Sequence, residues 1–200
     1  MKIGLKQVSA AVIILGSVLF VIGANLPISS RVFPEPSAVK RLESITDAPG
    51  EWIAAQVLLA LGAIITVLGI ALVAYHVRDQ SFAVFMWVST AILVLGAALW
   101  LWNVGARAAD PAAFADGSLP TWPQFLSFVL TEVGLAIFGV ALLYSSLPAW
   151  VGWVVVISMV LMLVLTFVLG DTVPLVFYLV TLLVGVVLLT QRRALERRRS

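Results

Sequence analysis

Long apolar stretches separated by short polar segments run along most of this 200-residue chain. A helix needs about 20 apolar residues to cross the hydrocarbon core of a bilayer, and only helices or closed barrels satisfy their backbone hydrogen bonds there. The stretches show no period-two alternation, which favours helices over barrel strands. We therefore predict one all-α domain over residues 1–200, a polytopic membrane helical bundle with six transmembrane helices at about 8–28, 52–74, 82–103, 124–144, 149–169 and 173–190.

Two connections are long, at about residues 29–51 and 104–123, and both are predicted on the outer face. The first contains apolar residues at i, i+3 and i+6, which predicts a short helix on the membrane surface: Val39, Leu42 and Ile45. The second has the order of a capped short helix, with an N-cap, a first-turn proline and a C-terminal glycine: Asp110, Pro111 and Gly117.

The orientation follows from the distribution of Lys and Arg, because basic loops are retained in the cytoplasm. With the N-terminus inside, eight basic residues are cytoplasmic and four are outside. Five of the eight are arginines in the segment 191–200, which we interpret as a cytoplasmic basic tail at the membrane surface. This interpretation places both termini in the cytoplasm and predicts the lipid bilayer, with no nucleic acid, as the partner of the tail.

Composition agrees with a membrane protein and excludes several kinds of site. The chain is 62% hydrophobic and 11% charged, with a mean hydropathy of +1.12, whereas soluble domains carry about 25% charged residues. It has no cysteine and one histidine, His76, so thiolate metal sites and sites built on several histidines are excluded within one chain. We expect no metal, no cofactor and no catalytic residue, and hence no enzyme.

A shift of 70 positions aligns Trp52 with Trp122 and Gly69 with Gly139. This similarity is compatible with three helical hairpins in tandem, related by rotation about the membrane normal. Chance similarity among helices rich in Leu, Val, Ala and Gly is the alternative, and the sequence leaves both open.

Glycines predict where helices approach one another. Gly16 and Gly23 lie seven residues apart, as do Gly62 and Gly69, so each pair occupies one face of its helix. Small residues at such positions let membrane helices pack closely. We therefore predict close antiparallel packing of the first two spans, and we assign Gly139 to helix packing as well.

Glu132 is the one acid well inside a predicted span, about 12 Å from the start of the fourth. A carboxylate at that depth is costly, so Glu132 is a candidate for binding a proton or a ligand. The alternative is structural: a protonated Glu132 bonded to a neighbouring helix. The candidate partners are Thr131, Ser127, Gln56, Ser89 and Thr90.

Polar and aromatic residues near the outer helix ends form a second hypothesis. An outward-facing pocket for a small amphiphile or a lipid headgroup is predicted from Glu132 and from residues near the outer helix ends: Gln56, Asn103, Asn25, Trp100 and Asp171. Scattered polar residues at a membrane interface are also ordinary, and that interpretation stays open.

The second half of the chain resembles uncharacterised bacterial multi-span integral membrane proteins classed as domains of unknown function. The residues that carry the resemblance are Gly139 to Leu143, Leu147 to Trp153, Gly170, Asp171, Pro174 and Tyr178. The resemblance implies a location in the bacterial inner membrane and implies no activity.

Two functions from different classes follow. The first is a non-catalytic helical bundle that binds a lipid, a small amphiphile or a partner protein, with an oligomer also open. The second is a small transporter or proton-coupled permeation unit that uses Glu132. Transporters often have broken helices with glycine or proline within the span, whereas the prolines here lie at span ends, which favours the first.

Overall fold

The computed structural model describes residues 5–78, 80–170 and 173–197, with side chains as far as residue 190. Over these residues the chain is all-helical, as predicted, and contains nine helices and no strand. The helices are α1 (Leu5–Ala24), α2 (Pro27–Val32), α3 (Ala38–Asp47), α4 (Pro49–His76), α5 (Ala83–Ala109), α6 (Pro111–Asp116), α7 (Trp122–Leu143), α8 (Ala149–Leu169) and α9 (Leu175–Arg197).

In the described part of the chain, five helices are long and apolar enough to cross a membrane: α1, α4, α5, α7 and α8. By length and composition the chain is therefore a multi-pass membrane protein. The apolar part of α9, Leu175–Thr190, is shorter than these five. Large apolar side chains on the outside of the bundle, such as Leu161 and Val168 on α8, are exposed as lipid-facing residues are.

Three predicted boundaries differ from the structure by four residues or more; one is the end of the sixth span, where the helix continues from residue 190 to Arg197. The first span ends at Ala24, and a separate short helix begins at Pro27 because proline lacks an amide hydrogen and favours a first turn. The third span continues to Ala109, so residues 104–109 are helical and do not belong to a loop. Mostly apolar and small residues extend α5 to Ala109. The helix ends there because the next residue, Asp110, is the N-cap of α6.

The long helices follow one another around the bundle in the order α9, α1, α4, α5, α7, α8. The main contacts join α1 to α4, α5 to α7, α7 to α8, α1 to α9 and α4 to α5. The first and second predicted spans, α1 and α4, are thus a close pair, and so are the third and fourth, α5 and α7. By contrast, α8 and α9 touch only lightly, because α8 packs chiefly on α7 and α9 on α1.

Glycines account for the closeness of α1 and α4. A Cβ atom added at Gly62 would lie 2.6 Å from the backbone nitrogen of Phe20, and one at Gly69 would lie 2.8 Å from that of Ile13. Neither backbone atom can move aside unless the helices separate. The other two predicted glycines lie on the same contact, facing the backbone of α4: Gly16 beside Thr66 and Gly62, and Gly23 beside Leu58 and Leu59.

Glycines also lie at the other strong contacts. Gly139 on α7 faces Val155 and Val156 of α8, and Gly152 of α8 faces the carbonyl oxygen of Gly139. A Cβ at Gly185 on α9 would lie 2.8 Å from Cγ1 of Ile14 on α1. Small residues thus lie where α8 packs on α7 and where α9 packs on α1, as is common at close contacts between membrane helices.

The short helices α2, α3 and α6 cover one end of the bundle, which we call the loop end. The opposite end, with the connections 77–82 and 144–148, is the turn end. Both predicted loop helices are present. Asp110 caps α6 by accepting a 2.9 Å hydrogen bond from the amide of Ala113, and Gly117 ends it with a φ of 77°.

The loop helices are held by a small apolar cluster of their own. Ile28, Val32, Ile45, Trp52 and Ala55 are buried in it. Of the three apolar residues that predicted α3, Ile45 enters this cluster, whereas Val39 is 76% exposed. The cluster packs the loop helices against the first turns of α4, beside the last turns of α5. The polar residues of the candidate site lie at this end of the bundle.

Candidate functional site

A cavity of about 320 Å³ opens at the loop end, and we call it the loop-end cavity. Its walls come from α1, α4, α5, α7 and the start of α9, and from the segment after α2. Nine of the eleven described lining residues are apolar or aromatic. The lining residues are Phe20, Ala24, Phe33, Leu59, Trp100, Arg107, Gln124, Phe128, Val173, Pro174 and Leu175.

Arg107 is the charged residue among the described lining residues of this cavity, and it is only 6% exposed. Its Nη2 donates a 2.8 Å hydrogen bond to Oε1 of Gln124. The guanidinium carbon lies 5.6 Å from the ring centre of Trp100, 5.5 Å from Phe33 and 5.1 Å from Phe114. Cation–π attraction to several rings stabilises a buried guanidinium and fixes its position beside the cavity.

Trp52 positions the same segment of α5 from the other side. Its Nε1 donates a 3.2 Å hydrogen bond to the carbonyl oxygen of Arg107, and its ring stacks on Phe114 at 5.2 Å. The tryptophan is buried and belongs to the loop-helix cluster. Trp52 of α4 thus contacts the backbone of Arg107, and Phe114 of α6 contacts its side chain.

A narrow second space of about 30 Å³ lies deeper, at the centre of the bundle, and we call it the central cavity. It shares four lining residues with the loop-end cavity: Phe20, Trp100, Phe128 and Pro174. Aromatic rings form the wall between them, with Phe20 stacked on Tyr178 at 3.5 Å and Trp100 at 5.8 Å from Phe128. The two cavities are therefore neighbours with aromatic rings between them.

Two buried polar atoms of the lining have no hydrogen-bond partner among the described residues: Nε1 of Trp100 and Oγ1 of Thr66. Trp100 is 7% exposed and Thr66 is 4% exposed. Buried polar groups are nearly always bonded in native proteins, so each such atom needs an explanation. Since both residues line the cavities, a ligand or water in this space would supply the missing partner.

The structure separates the residues that the sequence grouped into one pocket. Trp100 lines both cavities, whereas Gln56 and Asn103 line neither. Both amides are buried, and Oε1 and Nε2 of Gln56 and Nδ2 of Asn103 have no bonding partner in the described part of the chain. Asp171 lies outside the described residues.

Glu132 lies at the contact between α7 and α8. It is completely buried and accepts a 2.6 Å hydrogen bond from Oγ1 of Thr166. Thr166 was not among the predicted partners. Four of the predicted partners form other hydrogen bonds, in which their hydroxyls donate to backbone carbonyl oxygens: Ser127 to Gln124, Thr131 to Ser127, Ser89 to Gly134 and Thr90 to Met86. Glu132 lines neither the loop-end cavity nor the central cavity.

Sequence reasoning missed Arg107 and Gln124 as site residues. Because the third span was ended at residue 103, Arg107 was assigned to a loop. A signal was available, since Trp100, Asn103 and Arg107 follow at i, i+3 and i+7 and share one helix face. Gln124 has no comparable signal, because its role depends on its contact with α5.

Apolar and aromatic side chains, with Arg107 and Gln124, line the loop-end cavity. Among the described lining residues of the loop-end cavity there is no carboxylate, histidine, serine or threonine to act as acid, base or nucleophile. The described residues also contain no group of three metal-ligating side chains. No protein-family model, curated protein or solved structure matches this chain.

Proposed function

We propose that this protein is a non-catalytic membrane bundle that binds a lipid or another small amphiphile in the loop-end cavity. The observation that carries the proposal is the cavity itself. Its volume of about 320 Å³ lies within the range of ligand pockets, roughly 300–1,000 Å³. Its walls are apolar and aromatic, with Arg107 and Gln124 as the polar groups, and this matches a ligand with one polar end.

The proposal includes six crossings, with both termini in the cytoplasm of a bacterial cell and the loop end outside. The sixth crossing is α9. Its apolar part, Leu175–Thr190, covers about 24 Å of a core about 30 Å thick, and the helix itself continues to Arg197. Basic residues favour this orientation by eight to four.

Proton-coupled permeation through Glu132 has less support. The carboxylate is completely buried between α7 and α8, bonded to Thr166, and separate from both cavities. A proton pathway needs a polar or wet route to its carrier group. The contact of Glu132 instead resembles an interhelical hydrogen bond that joins two packed helices.

The proposal is tested by filling the cavity. Ala24 lines it, so Ala24→Phe places a ring in the space, whereas Ala54→Phe adds the same ring to an exposed position on α4. Native mass spectrometry from mild detergent reports bound amphiphiles as added mass. We expect adducts on the wild-type chain and on Ala54→Phe, and their loss from Ala24→Phe. Equal adducts on both variants, or none on the wild type, would overturn the proposal.

A further inference from the structure

We propose that the central cavity is a hydration site, which holds about one or two water molecules inside the membrane-spanning bundle. The water accepts a hydrogen bond from Nε1 of Trp100 and forms another with Oγ1 of Thr66. The site is smaller than the loop-end cavity and is lined by several hydroxyl groups. Its assignment does not depend on the binding of an amphiphile at the loop end.

The first argument is the size of the space. The central cavity has a volume of about 30 Å³. A single water molecule needs about 10–15 Å³ measured in the same way, so the cavity has room for about two. An acyl chain or a lipid headgroup is several times larger than this. The size therefore restricts the ligand to water or a bare ion.

The second argument is the hydroxyl of Thr66. Threonines within helices often donate to the carbonyl oxygen four residues earlier. Thr90 donates in this way to Met86 at 2.8 Å, and Thr131 donates to Ser127 at 2.7 Å. By contrast, Oγ1 of Thr66 is buried and has no hydrogen-bond partner among the described residues. The hydroxyl is therefore available to a molecule in the cavity that Thr66 lines.

The third argument is the direction of the two unpartnered side chains. The bond from Trp52 to Arg107 sets α4 and α5 in register. From that level toward the turn end, Thr66 lies about 21 Å along α4 and Trp100 about 10 Å along α5. Helix side chains lean toward the N-terminus, which is at the loop end for α4 and at the turn end for α5. Thr66 and Trp100 therefore lean toward each other along the bundle.

The fourth argument is the chemistry of the lining, which separates water from an ion. Nε1 of Trp100 is a donor only and needs an acceptor. The hydroxyls of Ser127 and Thr131 donate to backbone carbonyl oxygens, so their oxygens still accept from a donor. Water both donates and accepts, and it satisfies both kinds of group. A bare anion only accepts, and a bare cation cannot accept from the indole.

The test measures the transfer of magnetisation from water to indole N–H protons by nuclear magnetic resonance. The full chain, labelled with nitrogen-15 at tryptophan, is placed in phosphatidylcholine nanodiscs, and Trp100→Phe and Trp52→Phe identify the two signals by their loss. We expect a water cross-peak at Trp100. Trp52 is the matched control, since its buried indole donates to the carbonyl oxygen of Arg107 and should show no cross-peak.

Two alanine variants assign the cross-peak to the cavity. Ala97 lines the central cavity, so Ala97→Val adds two methyl groups to the space and should displace the water. Ala98 is the next residue of α5 and is exposed, so Ala98→Val adds the same groups outside the cavity. We expect the cross-peak at Trp100 to be lost from Ala97→Val and kept in Ala98→Val.

Three results would overturn the proposal. The first is the absence of a water cross-peak at Trp100 in the wild type, which decides the matter even if Ala97→Val does not fold. The second is an unchanged cross-peak in a folded Ala97→Val. The third is a cross-peak that is lost from Thr66→Val but kept in Ala97→Val, because it would then come from the Thr66 hydroxyl itself.

Discussion

Gly62→Ala tests the packing of α1 on α4 with the smallest possible change. The added Cβ would lie 2.6 Å from N, 2.7 Å from Cβ and 2.8 Å from Cα of Phe20. These atoms belong to or adjoin the backbone, so relief requires the two helices to move apart. Overpacking typically costs about 1–3 kcal/mol, and alanine recovers up to about 1 kcal/mol of helix propensity. We therefore expect a net loss of about 1–2 kcal/mol in the free energy of unfolding.

Gly105→Ala is the matched control. Gly105 lies within α5, and a Cβ there would meet nothing within 4 Å. Its substitution should raise the free energy of unfolding by up to about 1 kcal/mol, since only the propensity changes. The assay is reversible unfolding by sodium dodecyl sulfate in mixed micelles, followed by far-ultraviolet circular dichroism. Equal shifts for the two variants would refute the close approach of α1 and α4.

A second pair of variants shows whether backbone or side chain opposes the added carbon. The atoms that oppose a Cβ at Gly62 remain when Phe20 becomes alanine, so Phe20→Ala should not rescue Gly62→Ala. At Gly134 the opposing atoms are Cγ and Cδ2 of Leu93, both at 2.8 Å. Leu93→Ala removes them and should reduce the cost of Gly134→Ala. Rescue at both sites, or at neither, would contradict this distinction.

Three further predictions concern the α7–α8 contact, the loop end and the orientation. Glu132→Gln keeps an acceptor for Thr166, so its free energy of unfolding should stay near that of the wild type. Thr166→Val removes the donor and should lower the free energy of unfolding by about 1 kcal/mol in the same assay. The reverse order of the two variants would contradict the assigned hydrogen bond. Trp52→Phe removes the donor to α5 and keeps an aromatic ring, so unfolding should become about 1 kcal/mol easier; an unchanged midpoint would contradict that bond. The chain has no cysteine, so single cysteines at exposed Ser118 and Ser146 can be labelled in intact cells with a membrane-impermeant maleimide. Ser118→Cys at the loop end should react, and Ser146→Cys at the turn end should not. The opposite labelling pattern would indicate the inverted orientation.

The residues of the cavity show where prediction from sequence stopped. Trp100 was predicted as a site residue from its place near a helix end, and it lines both cavities. Gln56 and Asn103 also lie near helix ends and are buried, but they line neither cavity. Glu132 was rightly placed inside a helix, but its partner Thr166 lies 34 residues away and no local pattern indicates it.

The sequence by itself determined the helical class, the approximate positions of the long helices, the two short loop helices and the glycine faces. Each of these depends on local terms, such as the transfer of about 20 residues from water to hydrocarbon or the cap of one helix end. Only the tertiary structure decided the order of helices around the bundle, the separation of α8 from α9, and the position of Arg107 beside a cavity. These depend on shape complementarity between helices distant in sequence, because lipid gives apolar faces no preference among apolar neighbours.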